Sequence, residues 1–222
     1  METKRGKLIV IEGIDGAGKS TQVEMLKNCL DPKQFHFTRE ATDGPIGQLL
    51  RYTYLPKKRI ADERIINMLY AADRLDHITN SEDGMLKFIN DGMNVISDRY
   101  YLSTMAYNSY MGKDQVEVDQ LISRTIEMNQ INMELLPTDL TIFIDLQPRK
   151  ALERLDGRDD LRTIYETYDK LSGIYDAYHR SIERLRRGYG ENIIIVNGDQ
   201  SAEALHEVIF ELVSNKVNKA NY

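Results

Sequence analysis

Eight consecutive residues near the start of the chain, Gly13-Ile14-Asp15-Gly16-Ala17-Gly18-Lys19-Ser20, satisfy G-x-x-x-x-G-K-[ST] at every fixed position. Glycines at this spacing let backbone N–H groups turn inward and approach phosphate oxygens closely. The N-terminus of the helix that follows, read from Thr21, adds its partial positive charge. Lys19 is placed to reach the β- and γ-phosphates, and the Ser20 hydroxyl to ligate Mg²⁺. Further along, Val95-Ile96-Ser97-Asp98 reads as an apolar strand that ends in a carboxylate. That is where a metal-holding aspartate sits in such folds, although Asp also ends strands for turn reasons. Beside a complete phosphate loop the metal role is preferred, and the site reads as one for a nucleoside triphosphate with Mg²⁺.

Such a loop works only between a strand and a helix, and the flanking sequence supplies both. Lys7 to Glu12 reads as a buried strand, and Thr21 to Leu26 as a helix stopped by Asp31-Pro32. Four more apolar runs, at Phe35–Thr38, Asn94–Ser97, Leu140–Ile144 and Asn192–Val196, complete a set of five strands. Their Ile and Val content without polar alternation points to a parallel sheet covered on both faces. Helical patterns lie between them, with apolar Ile65, Met68, Leu69, Ala72 and Leu75 at three-and-four spacing. The fold class expected is therefore α/β, a doubly wound five-stranded parallel sheet flanked by helices. No repeat or Pro/Gly/Ser linker interrupts the chain, so residues 1–222 read as a single domain.

The 222 residues carry 29 Lys plus Arg against 35 Asp plus Glu, a net charge of −6. A generally basic nucleic-acid binder is excluded, and a membrane-surface role is disfavoured, because polyanions are repelled on average. Any cations that bind anionic ligands must be concentrated in one cleft. Cys29 is the single cysteine, so neither an intrachain disulfide nor a Cys-rich zinc site is available. The apolar run Leu8 to Ile11 is too short for a signal segment or a membrane span, and the expected location is cytoplasmic.

A triphosphate site alone does not separate a switch protein, a motor and a kinase. The nearest approach to an Asn-Lys-x-Asp guanine-reading element is Asn215-Lys216-Val217-Asn218, which lacks the Asp and sits in the C-terminal tail. A second set of motifs is more specific. Leu69-Tyr70-Ala71-Ala72-Asp73-Arg74, Ser97-Asp98-Arg99-Tyr100 and Ser103-Thr104-Met105-Ala106-Tyr107 resemble the thymidylate kinase family of P-loop nucleoside monophosphate kinases. So do the phosphate loop with its leading Glu12 and internal Asp15, and Thr38-Arg39-Glu40 followed by Gly44-Pro45-Ile46-Gly47. The resemblance runs from about Lys7 to the final helix. It implies transfer of the γ-phosphoryl group of ATP to thymidine 5′-monophosphate, a step of thymidine triphosphate synthesis. It also implies Mg²⁺ as cofactor and a homodimer.

Residue by residue, the resemblance implies that Arg99 holds the acceptor phosphate and Arg74 orients the base. Tyr70 stacks on the base, Tyr107 lies against the deoxyribose, and Thr104 helps read the base; Arg39 and Ser103 complete the acceptor set. Asp15 lies close to the acceptor 3′-hydroxyl and the transferring group. The chemistry is sensible without the family. An acceptor phosphate with a second pKa near about 6 is mostly dianionic at neutral pH, so it needs cations more than a base. Each residue keeps a simpler alternative: Arg74 pairing with Asp73 or Asp76 on a helix surface, Tyr70 and Tyr107 as core aromatics, Asp15 as a turn residue.

Three departures stand out. Ala41 occupies a position where many family members have proline, which leaves the loop from Arg39 to Gly44 less fixed. Tyr70 replaces a usual Phe and adds a hydroxyl. Gly16 stands where some members carry an arginine; members without it have a basic lid, and Arg154, Arg158 and Arg162 fall where that lid is expected, at about 154–163. The charged run Leu155 to Arg162 otherwise reads as a solvated loop. Competing readings are a deoxynucleoside kinase, a P-loop nucleotide-binding protein without transfer activity, and adenylate- or guanylate-type specificity.

Overall fold

The computed structural model describes residues 5–55, 62–157 and 165–218. Five strands, β1 (Leu8–Glu12), β2 (Phe35–Arg39), β3 (Asn94–Asp98), β4 (Leu140–Asp145) and β5 (Ile193–Asn197), pair entirely in parallel in the order β2-β3-β1-β4-β5. This is the expected doubly wound sheet. All of β1 is buried, and its Leu8, Ile9, Val10 and Ile11 are fully sequestered, as a central strand covered on both faces requires. Ile11 pairs with Asp98 and Glu12 with Phe143, so β1, β3 and β4 finish along one edge. The chain leaves β1 toward one side of the sheet and crosses to the other side after β3. Ligand crevices form outside the carboxyl ends of strands at such a switch.

Helix α1 (Lys19–Cys29) starts inside the phosphate loop and ends at the extended Leu30, just before Asp31-Pro32. Helix α2 (Pro45–Leu49) runs into a π-helical turn, Leu50–Tyr54. Then come α3 (Glu63–Thr79), α4 (Met85–Asn90), α5 (Tyr101–Ser109), α6 (Gln115–Leu135), α7 (Pro148–Asp156), α8 (Tyr168–Tyr189) and α9 (Ala202–Asn218). No helix among the described residues is long and apolar enough to cross a membrane.

Helix α3 corrects the periodicity reading. Of the apolar residues at three-and-four spacing, Met68 is 62% exposed and Ile65 40%, so that stripe is not the face turned to the core. The face turned inward carries Ile66, Asp73, Arg74, His77 and Ile78. Polar groups can take that face because each of the three finds a buried or partly buried partner. The charged run after α7 is divided: Leu155 is buried in the last turn of the helix, while Arg158 and Arg162 lie outside the described residues.

Candidate active site

Gly18 caps α1 with no side-chain hydrogen bond, so the first N–H groups of the helix have no side-chain cap. Lys19 folds back within the loop, its Nζ donating to the Ile14 carbonyl at 2.8 Å. Burial and the neighbouring Arg99 charge push the Lys19 ammonium down to about 8, although Asp15, Asp98 and Glu12 pull the other way. Gly16 has φ +82°, and a Cβ there would lie 2.4 Å from the Ala151 carbonyl of α7. Helix α7 therefore sits directly over the loop and brings Arg154, which donates to the Gly198 carbonyl at 3.0 Å and the Ala17 carbonyl at 3.5 Å.

The Ser20 hydroxyl donates to Asp98 Oδ2 at 2.7 Å. The second carboxylate oxygen, Oδ1, is buried without a hydrogen-bond partner. An orphaned carboxylate oxygen beside a hydroxyl is a donor set that suits a hard divalent cation. Among the described residues no cluster of three or more His, Cys, Asp or Glu could hold an ion. A cation there would complete its shell with phosphates and water, as Mg²⁺ commonly does.

Arg99 connects this loop to the neighbouring cavity. Its Nη2 pairs with Asp15 Oδ1 at 2.5 Å and donates to the Tyr107 hydroxyl at 3.2 Å. Nη1 donates to the Gly13 carbonyl, the Ser103 hydroxyl and the Tyr178 hydroxyl. The guanidinium also lies 5.1 Å from the Tyr107 ring centroid. Tyr107 in turn donates to Asp15 Oδ2 at 2.9 Å. Burial alone would raise the Asp15 carboxyl, but Arg99, Lys19 and the Tyr107 hydrogen bond hold it below its ordinary value. Beneath this group, the buried Glu12 accepts from the Tyr100 and Ser103 amides, the Ser103 hydroxyl and the Tyr178 hydroxyl. It does for α5 what the N-cap Tyr100 side chain does not. Burial is the main cause that raises the Glu12 carboxyl.

Arg74 is 1% exposed, which excludes the surface pairing with Asp73 or Asp76. Its Nε and Nη2 both donate to Glu40 Oε2, Nη1 to Asn129 Oδ1 at 2.5 Å, and Nη2 to Thr104 Oγ1 at 2.9 Å. Asp73 instead holds the loop after β2 by accepting from the amide and hydroxyl of Thr42. With Ala41 in place of proline, the Glu40–Ala41 peptide is cis.

Six of the seven expected acceptor residues, Tyr70, Arg74, Arg99, Ser103, Thr104 and Tyr107, line one cavity together with Asp15. Arg39 does not: it pairs with Asp43 and lines a second cleft with Ser20 and Asp98. Gly16, Ala17, Gly18, Thr21 and Arg154 line a third, on the α9 side of the loop. Burial pushes the Tyr70 phenol up to about 12, so its ring enters the cavity neutral. Sequence reasoning missed Glu40, Asn129 and Tyr178 as site partners, and left Glu12 without a role. Thr125, Asn129 and Asn132, buried at helical spacing on α6, were a readable polar stripe; Tyr178 carried no signal.

Residues 11–209 match the thymidylate kinase family. The chain belongs to that family. It is 33% identical over 220 residues to a probable thymidylate kinase of Thermococcus onnurineus, covering 95% of this chain and 98% of that protein. It is 28% identical over 221 residues to a thymidylate kinase of Caldanaerobacter subterraneus, covering 97% and 99%. The fold is shared with the solved thymidylate kinase of Candida albicans at TM-score 0.71 and 24% identity, covering 98% and 96% of the two chains. As a thymidylate kinase family member this chain is a phosphotransferase that uses ATP to convert thymidine monophosphate to the diphosphate.

Proposed function

We propose that the phosphate loop and the Arg74–Arg99 cavity hold donor and acceptor on either side of Asp15, with the charges divided between them. The observation that supports this is that Asp15, in the same loop as Lys19, pairs with Arg99 and lines the cavity beside it. ATP places its β- and γ-phosphates against the N-terminus of α1 and Lys19, with Gly13, Ile14, Gly16, Ala17, Gly18 and Thr21 shaping the cradle. Arg154 reaches the donor side from α7. Ser20 and Asp98 would hold Mg²⁺, which when bound would supply positive charge to the phosphates.

Arg99 exchanges part of its contacts with Asp15 and Tyr107 for the acceptor phosphate, which its planar fork binds bidentately. Thymidine monophosphate is then oriented by Tyr70, Arg74 and Thr104 at the base and by Tyr107 at the sugar. Arg158, assisted by Arg154 or Arg162, closes over the phosphates and excludes water. Arg39, at the second cleft, is assigned to acceptor-phosphate approach.

A kinase that phosphorylates an uncharged hydroxyl would need a base. Of the two carboxylates that line the cavity, Glu40 is engaged by Arg74 and His77, and Asp15, engaged by Arg99 and Tyr107, is held below its ordinary value, which makes it a weak base. The acceptor is accordingly a monophosphate. Exposed Met68 on α3 and Ile131 and Leu135 on α6, two helices that pack together, support a homodimer, read by sedimentation. The location read from the sequence is cytoplasmic. An acceptor screen of mono- and deoxymonophosphates, with thymidine as control and ATP and Mg²⁺ as donor pair, tests the reading. Turnover with thymidine monophosphate and none with thymidine is expected; the reverse would refute it.

A further inference from the structure

Arg74 and His77 lie three residues apart on the inward face of α3, and both contact the same carboxylate. Glu40 Oε2 takes the two Arg74 hydrogen bonds, while Oε1 faces His77 Nδ1 at 3.2 Å. On the far side of the ring, His77 Nε2 is 2.6 Å from the hydroxyl of Thr38 in β2. A carboxylate can only accept, so Nδ1 carries the proton and Nε2, in the neutral ring, accepts the Thr38 O–H. Glu40, His77 and Arg74 are all buried. Among the described residues, four of the five Arg74 N–H groups have protein acceptors, and the remaining one is on Nη1.

We propose that His77, backed by Thr38, is a positioning residue for acceptor recognition: it fixes the Glu40 carboxylate so that Arg74 holds its remaining N–H toward the base. The proposal rests on the assignment of Arg74 to the acceptor base made above. His77 and Thr38 line the second cleft, with Arg39, and not the cavity that holds Arg74, so the effect of His77 on Arg74 passes through Glu40. A carboxylate held at one oxygen only can rotate, and the guanidinium is then fixed by Asn129 and Thr104 without a set direction for its two bonds to Glu40. Without the imidazole, Glu40 Oε1 is also left as a buried acceptor without that donor.

Two isosteric replacements separate positioning from bulk packing. His77→Asn keeps an N–H near the Nδ1 position and can still donate to Glu40. His77→Gln places its amide near the Nε2 position, toward Thr38, and cannot. Steady-state kinetics should show the KM for thymidine monophosphate raised about tenfold or more in His77→Gln, the cost of one lost donor to a buried charged acceptor. The KM for ATP should stay within about twofold of the parent, since the donor cradle is untouched. His77→Asn should recover most of the acceptor affinity. Thr38→Val, which removes the O–H at nearly constant volume, should show a smaller rise of the same kind.

Equal behaviour of the Asn and Gln variants, or a change in ATP KM with acceptor KM unaltered, would overturn the proposal. Arg74→Lys runs in parallel as a control on the underlying assignment. If it leaves the acceptor KM unchanged, the base-reading role of Arg74 fails and the relay with it. If it raises that KM while His77→Gln does not, the relay alone fails.

Discussion

Lys19 is buried beside Arg99, and burial is the larger reason its pKa falls to about 8. The sign matters for activity. In the free enzyme the ammonium is lost as pH rises through about 8, so kcat/KM for ATP should decline on that basic limb. The limb in kcat at saturating ATP should lie higher, because bound phosphates favour the charged form. A kcat/KM profile flat to about pH 10 would show that the loop keeps its cation without help from the substrate. Tyr107 joins two functions in one side chain, a hydroxyl between Arg99 and Asp15 and a ring edge-on to Tyr165 at 5.1 Å. The ring is the part that can exclude a 2′-hydroxyl. Tyr107→Phe should therefore keep the preference for deoxyribose acceptors and lose rate, whereas Tyr107→Ala should narrow the preference. Ratios of kcat/KM for deoxy- and ribonucleotide acceptors decide it; an unchanged ratio in the alanine variant removes the ring from this role.

Helix α7 stands over the phosphate loop because Gly16 has no side chain to hold it off. An arginine there would place Cβ within 2.4 Å of the Ala151 carbonyl, at a φ that side chains rarely adopt. Gly16→Arg is expected to cost about 2 kcal/mol or more and to displace α7 together with Arg154. Thermal melting checks the cost, and a variant that melts with the parent would mean that α7 yields freely. Arg154→Ala, by contrast, should raise the KM for ATP and leave melting nearly unchanged, since an exposed side chain at a helix end contributes little to folding. Helices also mark the limit of what the sequence disclosed. The five strands were legible because buried parallel strands are continuous apolar runs, and the phosphate loop because its spacing admits few other uses. Helix α3 was legible as a helix but not in its orientation. Its inward face is polar, and the partners that make this affordable, Glu40 and Thr42, lie over thirty residues away. No local pattern carries that information.

At the scale of the molecule, a chain of net charge −6 binds two polyanions. It does so by setting Lys19, Arg74 and Arg99 along the edge where β1, β2 and β3 end, with Lys19 and Arg74 buried. Fields in such a cleft are stronger than the net charge suggests, since low-dielectric walls weaken screening. The motifs gave away which residues gather there, but not how the set is held. Glu40 pairs with Arg74 and Asp15 with Arg99, while Glu12, buried at the end of β1, takes the Tyr100 and Ser103 amides and the Ser103 and Tyr178 hydroxyls. A strand-terminal glutamate has too many ordinary uses to be recognised from its position in the sequence alone.

Arg99 has φ of 74°, the one described residue other than glycine at positive φ. L-residues with a Cβ resist that conformation by about 1 kcal/mol or more, and glycine does not. The backbone at this position therefore favours glycine, while the contacts of the guanidinium favour arginine. Arg99→Ala and Arg99→Gly lose the same guanidinium and should be equally inactive, yet the glycine variant should melt several degrees higher than the alanine variant. Scanning calorimetry on the pair reads the difference, and an alanine variant as stable as the glycine one would place the backbone at no disadvantage. If the difference holds, a lineage of this enzyme released from its catalytic duty would lose less stability by drifting to glycine here than to alanine. Glycine rather than alanine at this position would then be the trace left in a descendant that had given up the guanidinium.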